Sequence, residues 1–207
     1  DLLNVSQTLD LSPLPAGCRA AILTNAGGPA ALASDGLEEN GFTLARLDAK
    51  KMQNLRPQLN PAAQVDNPID MLGGAEPREY EAALHQVLAD EGVDLAVPIL
   101  VPQALVNPGQ IAQAIAAEAE KSSKPVIACF MGEESIGEAR RILHENRIPL
   151  VDYPERIGRV CAGLWQYAQI KKKTRPSRLP KLEGIERLEV EEFFTHHKDQ
   201  KYYGEME

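Results

Sequence analysis

The chain has 207 residues, of which 43% are hydrophobic and 25% are charged, and this is the composition of an ordinary water-soluble globular protein. No window contains the roughly 20 consecutive apolar residues of a membrane span, and a net charge of −8 argues against general nucleic-acid binding. We therefore expect a cytoplasmic protein without a membrane or nucleic-acid partner.

The first residues are not predicted to be a signal peptide. Residues 1–15 contain scattered leucines and are predicted to be the end of a preceding domain or a linker. They lack the basic start and apolar core of a signal peptide, and the absence of an initiating Met predicts that the chain is a piece of a longer one. Cys18, Cys129 and Cys161 lie far apart in apolar patterns, which predicts buried thiols in a reducing compartment rather than disulfides.

Strand-like and helix-like segments alternate through residues 16–170, which we predict to form one domain. Strands are expected at residues 19–25, 42–47, 93–101, 125–130 and 149–151, and helices at 30–40, 49–59, 77–90, 108–122, 134–146 and 154–170. Short loops between them predict an α/β fold with a five-stranded parallel sheet. For five strands we expect the flavodoxin-like, three-layer αβα architecture with order 2-1-3-4-5, whose ligand crevice lies beyond the first and third strands.

The turn after the first strand is the strongest functional signal. Its sequence is Asn25-Ala26-Gly27-Gly28-Pro29, and Ala30 begins an alanine-rich helix. Pro29 suits the first helical position, and glycine in place of a Ser or Asp cap leaves the first-turn N–H groups without a side-chain acceptor. These N–H groups and the helix dipole predict an anion site of the phosphate type. The alternative is a tight structural turn.

Loops after other strands are expected to shape the same crevice. In residues 67–74, Asn67-Pro68 predicts an extended turn, Asp70 a local cap and Gly73 a close backbone approach. A purely structural loop is the competing interpretation. Two further loops are predicted on the crevice side, and they contain Pro102, Gln103, Met131 and Gly132.

No catalytic residue or metal site is predicted within the chain. His85 and His144 fall on predicted helices away from the crevice, and His196-His197 lies in a predicted solvated tail. Residues 171–182 are basic and proline-punctuated, which predicts a linker. Residues 183–207 are acidic, with aromatic residues at 193, 194, 202 and 203, and are predicted to be disordered or to dock on a partner.

Five separated motifs between about residues 15 and 168 resemble a known family, the nucleoside-diphosphate-forming acyl-CoA synthetases, relatives of succinyl-CoA synthetase. The motifs are the strand and turn at 21–29, the loop Asn67-Pro68-Ile69-Asp70-Met71-Leu72-Gly73, Val101-Pro102-Gln103, Lys124-Pro125-Val126 with Phe130-Met131-Gly132, and Tyr153-Pro154-Glu155-Arg156. The match corresponds to the second of the family's two flavodoxin-like ligase domains.

The resemblance implies a division of labour between domains. In that family, acyl-CoA, phosphate and ADP are interconverted with the free acid, CoA and ATP through an acyl phosphate and a phosphohistidine. The resemblance implies that Asn25, Gly27, Gly28, Pro29 and Ala30 help to bind phosphate or phosphohistidine. It also implies that the histidine belongs to a preceding ligase domain, and that ADP or ATP, Mg²⁺ and CoA bind mainly to other domains, including an ATP-grasp module or subunit. A homo-oligomer is a further possible assembly.

Two other functions remain open from the sequence. The chain is alternatively a non-catalytic regulatory or interaction module of a fused protein, such as a lysine acetyltransferase with a degenerate synthetase portion. A free-standing flavin or nucleotide binder is the weaker alternative, because few aromatic residues lie at the predicted crevice to sandwich a flavin.

Overall fold

The computed structural model describes residues 2–104, 106–173 and 187–197. By internal contacts the chain divides into two units, Asp1–Lys173 and Thr174–Glu207. Residues 174–182 of the predicted linker, and the predicted tail apart from 187–197, lie outside the described residues. The described part of the second unit is helix α8, Arg187–His196, in which the rings of Phe193 and Phe194 pack edge to face with centroids 5.6 Å apart.

The first unit is built on one parallel sheet. Its strands are β1 (Arg19–Thr24), β2 (Thr43–Leu44), β3 (Ile69–Asp70), β4 (Leu95–Leu100), β5 (Ala128–Phe130) and β6 (Leu150–Val151). The main order is β2-β1-β4-β5-β6, and β3 pairs with β1. In chain order the five predicted strands therefore have the predicted arrangement 2-1-3-4-5, and the α/β fold is confirmed.

One strand was not predicted. β3 has only two residues, and it pairs with β1 at Leu23↔Ile69 and Thr24↔Asp70, whereas β2 pairs with the other end of β1 at Arg19↔Thr43. Residues 69 and 70, which follow Asn67, therefore pair with the end of β1 that β2 does not reach. Two residues give no alternating pattern, which is why the sequence analysis predicted a loop there.

The helices cover both faces of the sheet. They are α1 (Leu2–Leu11), α2 (Gly27–Glu39), α3 (Ala49–Leu55), α4 (Pro77–Leu88), α5 (Pro108–Ala119), α6 (Gly137–Glu145) and α7 (Ile157–Lys172). Side chains along β1 alternate between the two cores: Ala20 and Ile22 pack with α2 and α7, and Ala21 and Leu23 pack with α3 to α6. This period-two alternation in a sheet buried on both faces produces the three-layer αβα architecture.

Helix α1 falls in residues 1–15, where the sequence analysis predicted no element. Val5 and Leu9 on α1 pack against the core that α7 shares with the sheet. Val5 lies so close to α7 that a Cβ at Gly163 would come within 2.7 Å of one of its methyl groups. The assignment of residues 1–15 to the end of a preceding domain or a linker stays a prediction.

The predicted start of α2 was wrong by three residues. The helix begins at Gly27, and Ala26, with extended backbone angles, is the residue before it. Pro29 therefore occupies the third helical position rather than the first. Because the first four N–H groups of a helix have no partner within the helix, proline is tolerated there as well.

Candidate functional site

The loops that follow four strands meet at one edge of the sheet. A Cβ at Gly27 would lie 3.3 Å from the Asp70 carboxylate, and a Cβ at Gly73 would lie 2.7 Å from the side-chain amide of Gln103. Gly132, with φ +94°, lies against Ser135 and Pro102. The sheet therefore brings the loops after β1, β3, β4 and β5 together at its carboxyl edge, where ligand crevices form in this class of fold.

The first turn of α2 presents two free backbone donors at this edge. Gly27 and Gly28 are exposed, and among the described residues their N–H groups have no acceptor. Ala26 provides no side-chain cap, because its methyl group cannot accept a hydrogen bond. The Thr24 hydroxyl accepts from the Ala26 N–H at 2.9 Å. A Cβ at Gly28 would meet no atom within 4 Å, so the space beside this residue is open. Two N–H groups at the positive end of a helix dipole can bind an oxyanion.

The other three predicted anion-binding residues are placed differently. Asn25 is buried, and its side-chain amide donates to the Val101 carbonyl at 2.8 Å and accepts from the Val101 N–H at 2.9 Å. Ala30 is buried, and its N–H is directed to the Ala26 carbonyl at 3.4 Å. Pro29 has no N–H to offer. Of the predicted residues, Gly27 and Gly28 thus carry the free donors, while Asn25 joins β1 to the segment after β4.

Asp70 lies beside the first turn of α2 because of the β3–β1 register. Thr24 is its partner across the ladder, and the Met71 N–H donates to the Thr24 carbonyl at 2.8 Å. The Asp70 Oδ1 accepts from the Leu72 N–H at 3.0 Å, and Leu72 takes a positive φ of 70°. The structure therefore brings Asp70 and Gly73 to the edge, together with Pro102 and Gln103.

Asn67 does not reach this edge. Its Oδ1 accepts from the Ile22 N–H at 2.9 Å, and its Nδ2 donates to the carbonyls of Ala20 and Ala45 at 2.8 and 3.0 Å. The side chain thereby fills the break in the ladder between β2 and β3. Its position is within the sheet, and its predicted contribution to the crevice is indirect.

Tyr80 is the supporting residue that the sequence analysis did not identify. It lies on α4, and its buried hydroxyl donates to the Ile99 carbonyl at 2.7 Å. Burial, and to a smaller degree the charge of Asp70, raise the pKa of this hydroxyl well above its ordinary value. The hydroxyl therefore stays protonated and holds the end of β4 in place beneath the edge.

The two histidines of the first unit, His85 and His144, lie away from this edge. His85, on α4, contacts the buried carboxylate of Glu118 at 3.0 Å, and His144 is exposed in the last turn of α6. Helices of this fold begin at the carboxyl edge of the sheet and end at the opposite edge, so both residues are remote from Gly27. Within residues 2–104, 106–173 and 187–197, no group of three or more His, Cys, Asp or Glu side chains could hold a metal ion.

In the described part of the chain, none of the helices combines the length and the apolar character needed to cross a bilayer.

Comparisons with known proteins agree on one family. The model of a family described as "Ligase-CoA domain" matches residues 20–173. The chain is 36% identical over 161 residues to the alpha subunit of an ADP-forming acetate–CoA ligase II from Pyrococcus furiosus, covering 76% of this chain and 35% of that protein. It is 34% identical over 155 residues to an ADP-forming acetate–CoA ligase I from Archaeoglobus fulgidus, covering 75% of this chain and 22% of that protein.

A solved structure shows the same similarity in three dimensions. It is a dinucleotide-forming acetyl-coenzyme A synthetase 1 from Ca. Korarchaeum cryptofilum in complex with phosphate and ADP. The match has a TM-score of 0.74 and 27% identity, and covers 83% of this chain and 39% of that one. The chain thus spans about a third or less of the lengths of the two curated relatives and two fifths of this structure.

Proposed function

Because this chain belongs to the family of Ligase-CoA domains, we propose that it is the phosphate-binding ligase domain of an NDP-forming acyl-CoA synthetase. The observation that carries the proposal is the pair of free N–H groups on Gly27 and Gly28, which lie at the carboxyl edge of the sheet. The phosphate bound in a structurally similar synthetase supports the same ligand class.

The whole enzyme would convert acyl-CoA, ADP and phosphate to acid, CoA and ATP through an acyl phosphate and a phosphohistidine. This chain would contribute the first turn of α2, whose backbone donors hold the phosphate or the phosphohistidine. Fixed dipoles aimed at the oxygens stabilise the charge that develops during phosphoryl transfer, and they need no reorganisation at that moment. Asn25 would keep this turn in place through its two bonds to Val101.

Other domains would supply the remaining components. The proposal assigns the phosphorylated histidine to a preceding ligase domain, and nucleotide binding with Mg²⁺ to an ATP-grasp module or subunit. CoA would also bind mainly outside this chain. A homo-oligomer and a cytoplasmic location complete the proposal, and the latter is supported by three free thiols, two of them buried.

The direct test is a titration of the isotope-labelled chain with inorganic phosphate, followed by amide NMR at constant ionic strength. We expect the signals of Gly27 and Gly28 to move in a saturable way. Gly137 is the internal control, because it also begins a helix without a side-chain cap. Unmoved signals at Gly27 and Gly28, or an equal response at Gly137, would contradict the proposal.

A pair of substitutions at Gly28 sharpens this test. Gly28→Pro removes one donor, whereas Gly28→Ala keeps the N–H and adds a Cβ that meets no atom within 4 Å. A hydrogen bond to a charged group contributes about 1.5–3 kcal/mol, so we expect Gly28→Pro to weaken phosphate binding by about tenfold or more. Gly28→Ala should bind within a few-fold of the unchanged chain.

A further inference from the structure

The Asp70 carboxylate lies beside the first turn of α2, which carries the two free donors. We call this place the opening of α2. The Asp70 Oδ1 is engaged by the Leu72 N–H, whereas its Oδ2 lies 3.3 Å from the position that a Cβ of Gly27 would occupy. Among the described residues no donor is directed at this Oδ2, and Asp70 is half-buried. Asp70 also does not cap α2, since the hydrogen bond that its carboxylate accepts comes from Leu72 and not from the first turn of the helix. The carboxylate therefore leaves both N–H groups available.

This arrangement constrains which oxyanion can bind. An anion held by the Gly27 and Gly28 N–H groups would bring one of its oxygens towards the Asp70 Oδ2. An ionised carboxylate only accepts hydrogen bonds, so two negatively charged oxygens would face each other. The repulsion becomes an attraction when the anion carries a proton, because an O–H···O⁻ bond is short and strong. Phosphate carries such a proton at neutral pH, whereas sulfate does not.

We propose that Asp70 makes the opening of α2 selective for a protonated phosphate over an unprotonated oxyanion of similar size, such as sulfate. The inference rests on the proposed function, because it concerns the same two donors. The N–H groups of Gly27 and Gly28 bind the negatively charged oxygens. The Asp70 Oδ2 accepts a hydrogen bond from the oxygen of the phosphate that carries the proton. The position of Asp70 follows from its pairing opposite Thr24, three residues before Gly27.

The informative substitution is Asp70→Asn. Asparagine keeps an oxygen for the Leu72 N–H, so the loop can retain its turn, but it places an amide instead of a charged acceptor beside Gly27. Asp48→Asn is the matched control. Asp48 also accepts from a nearby backbone N–H, that of Lys51 at 3.0 Å, and loses the same charge on substitution. Its own N–H is bonded to Asp90, which precedes β4, so Asp48 is remote from the opening.

The experiment compares phosphate and sulfate titrations of the 207-residue chain by the amide signals of Gly27 and Gly28, with divalent cations removed by a chelator. We expect the unchanged chain to bind phosphate about tenfold or more tightly than sulfate, which is the fold-change of one charge-assisted hydrogen bond. Asp70→Asn should bring the ratio close to one, mainly by strengthening sulfate binding. Asp48→Asn should keep the original ratio.

The outcomes separate the two proposals. If neither anion moves Gly27 and Gly28 in the unchanged chain, the proposed function fails, and this inference fails with it. If both anions bind with similar affinity, or if selectivity appears only after Mg²⁺ is added, the inference alone is overturned. The ratio in the unchanged chain decides this even if Asp70→Asn does not fold. A folded Asp70→Asn that keeps the phosphate preference also overturns it.

Discussion

The side chain of Asn25 is joined to the backbone of Val101 by two hydrogen bonds of 2.8 and 2.9 Å, across 76 positions of the sequence. The amide thus continues the β1–β4 ladder by one step, at the point where the chain leaves the sheet to begin α2. A side chain that imitates the backbone lets the strand end without leaving the Val101 groups unpaired.

Asn25→Asp tests this pairing. The substitution replaces the donor to the Val101 carbonyl by a second acceptor at a buried position. An unsatisfied buried group costs about 1–3 kcal/mol, and we expect a loss of this size in the free energy of unfolding measured in urea. Asn107→Asp is the control, because Asn107 is exposed and its side chain, among the described residues, accepts from the Gln110 N–H alone. Equal losses in the two variants would show that the Val101 pairing is unimportant.

Gly158→Ala tests the close contact between α2 and α7. A Cβ at residue 158 would lie 1.8 Å from the carbonyl oxygen of Gly36, and backbone cannot move aside as a flexible side chain can. We expect a loss of about 1–3 kcal/mol from overpacking, seen as a lower midpoint of thermal unfolding. Gly137→Ala, at a helix position where the added Cβ meets no atom within 4 Å, should be nearly neutral. An unchanged midpoint for Gly158→Ala would contradict the helix contact.

The ion pair of Arg19 and Asp94 should make the free energy of unfolding depend on pH. The guanidinium of Arg19 donates to the Asp94 carboxylate at 2.8 and 2.9 Å, and this lowers the pKa of Asp94 although burial opposes the shift. A carboxyl group with a lowered folded-state pKa contributes stability above its unfolded pKa, which is about 3.9, and loses it as the pH falls further. The difference in unfolding free energy between the unchanged chain and Asp94→Asn should therefore be constant near neutral pH and shrink in acid.

The control for this pH profile is the ion pair of Arg140 and Asp152. Both side chains are nearly half exposed, and such surface pairs contribute little. We expect Asp152→Asn to change stability only slightly at any pH. A pH-independent effect of Asp94→Asn would show that Arg19 does not hold the ionised form.

The three cysteines should differ in reactivity. Burial raises the pKa of Cys129 and of Cys161 to about 12, and both thiols are fully enclosed in the core between the sheet and α7. Since the thiolate is the reactive form, iodoacetamide should label only Cys18, which is partly exposed, while the chain is folded. Mass spectrometry of the labelled chain measures this, with urea-unfolded chain as the control. Rapid labelling of Cys129 or Cys161 in folded chain would contradict the burial.

The isolated chain should not phosphorylate itself. Its four histidines are His85, His144, His196 and His197. The first two lie on α4 and α6 away from Gly27, and the proposed function assigns the phosphorylated histidine to another domain. We expect no acid-labile phosphate on the chain after incubation with radiolabelled ATP and Mg²⁺. A labelled histidine would mean that this chain contains catalytic machinery of its own, and the proposed division of labour would be wrong.

Much of the fold could be predicted from local patterns. A strand was predicted at residues 93–101, which contain β4, and the glycines before Pro29 predicted a helix start without a side-chain cap. Boundaries were less accurate: β2 has two residues where six were expected, because only Thr43 and Leu44 pair with β1. Helix α1 was missed, since the six leucine and valine residues spread over residues 1–15 do not indicate which element they pack against.

What the sequence by itself determined is the chemistry available at the opening of α2, because a helix start depends on a few adjacent residues. Two glycines without a capping side chain leave free N–H groups wherever the helix lies. Tertiary structure alone decided that Asp70 faces Gly27, that Asn25 pairs with Val101 and that Asn67 fills the sheet. Those relationships depend on register between strands distant in the chain, and register is set by the packing of whole sheet faces rather than by any single residue.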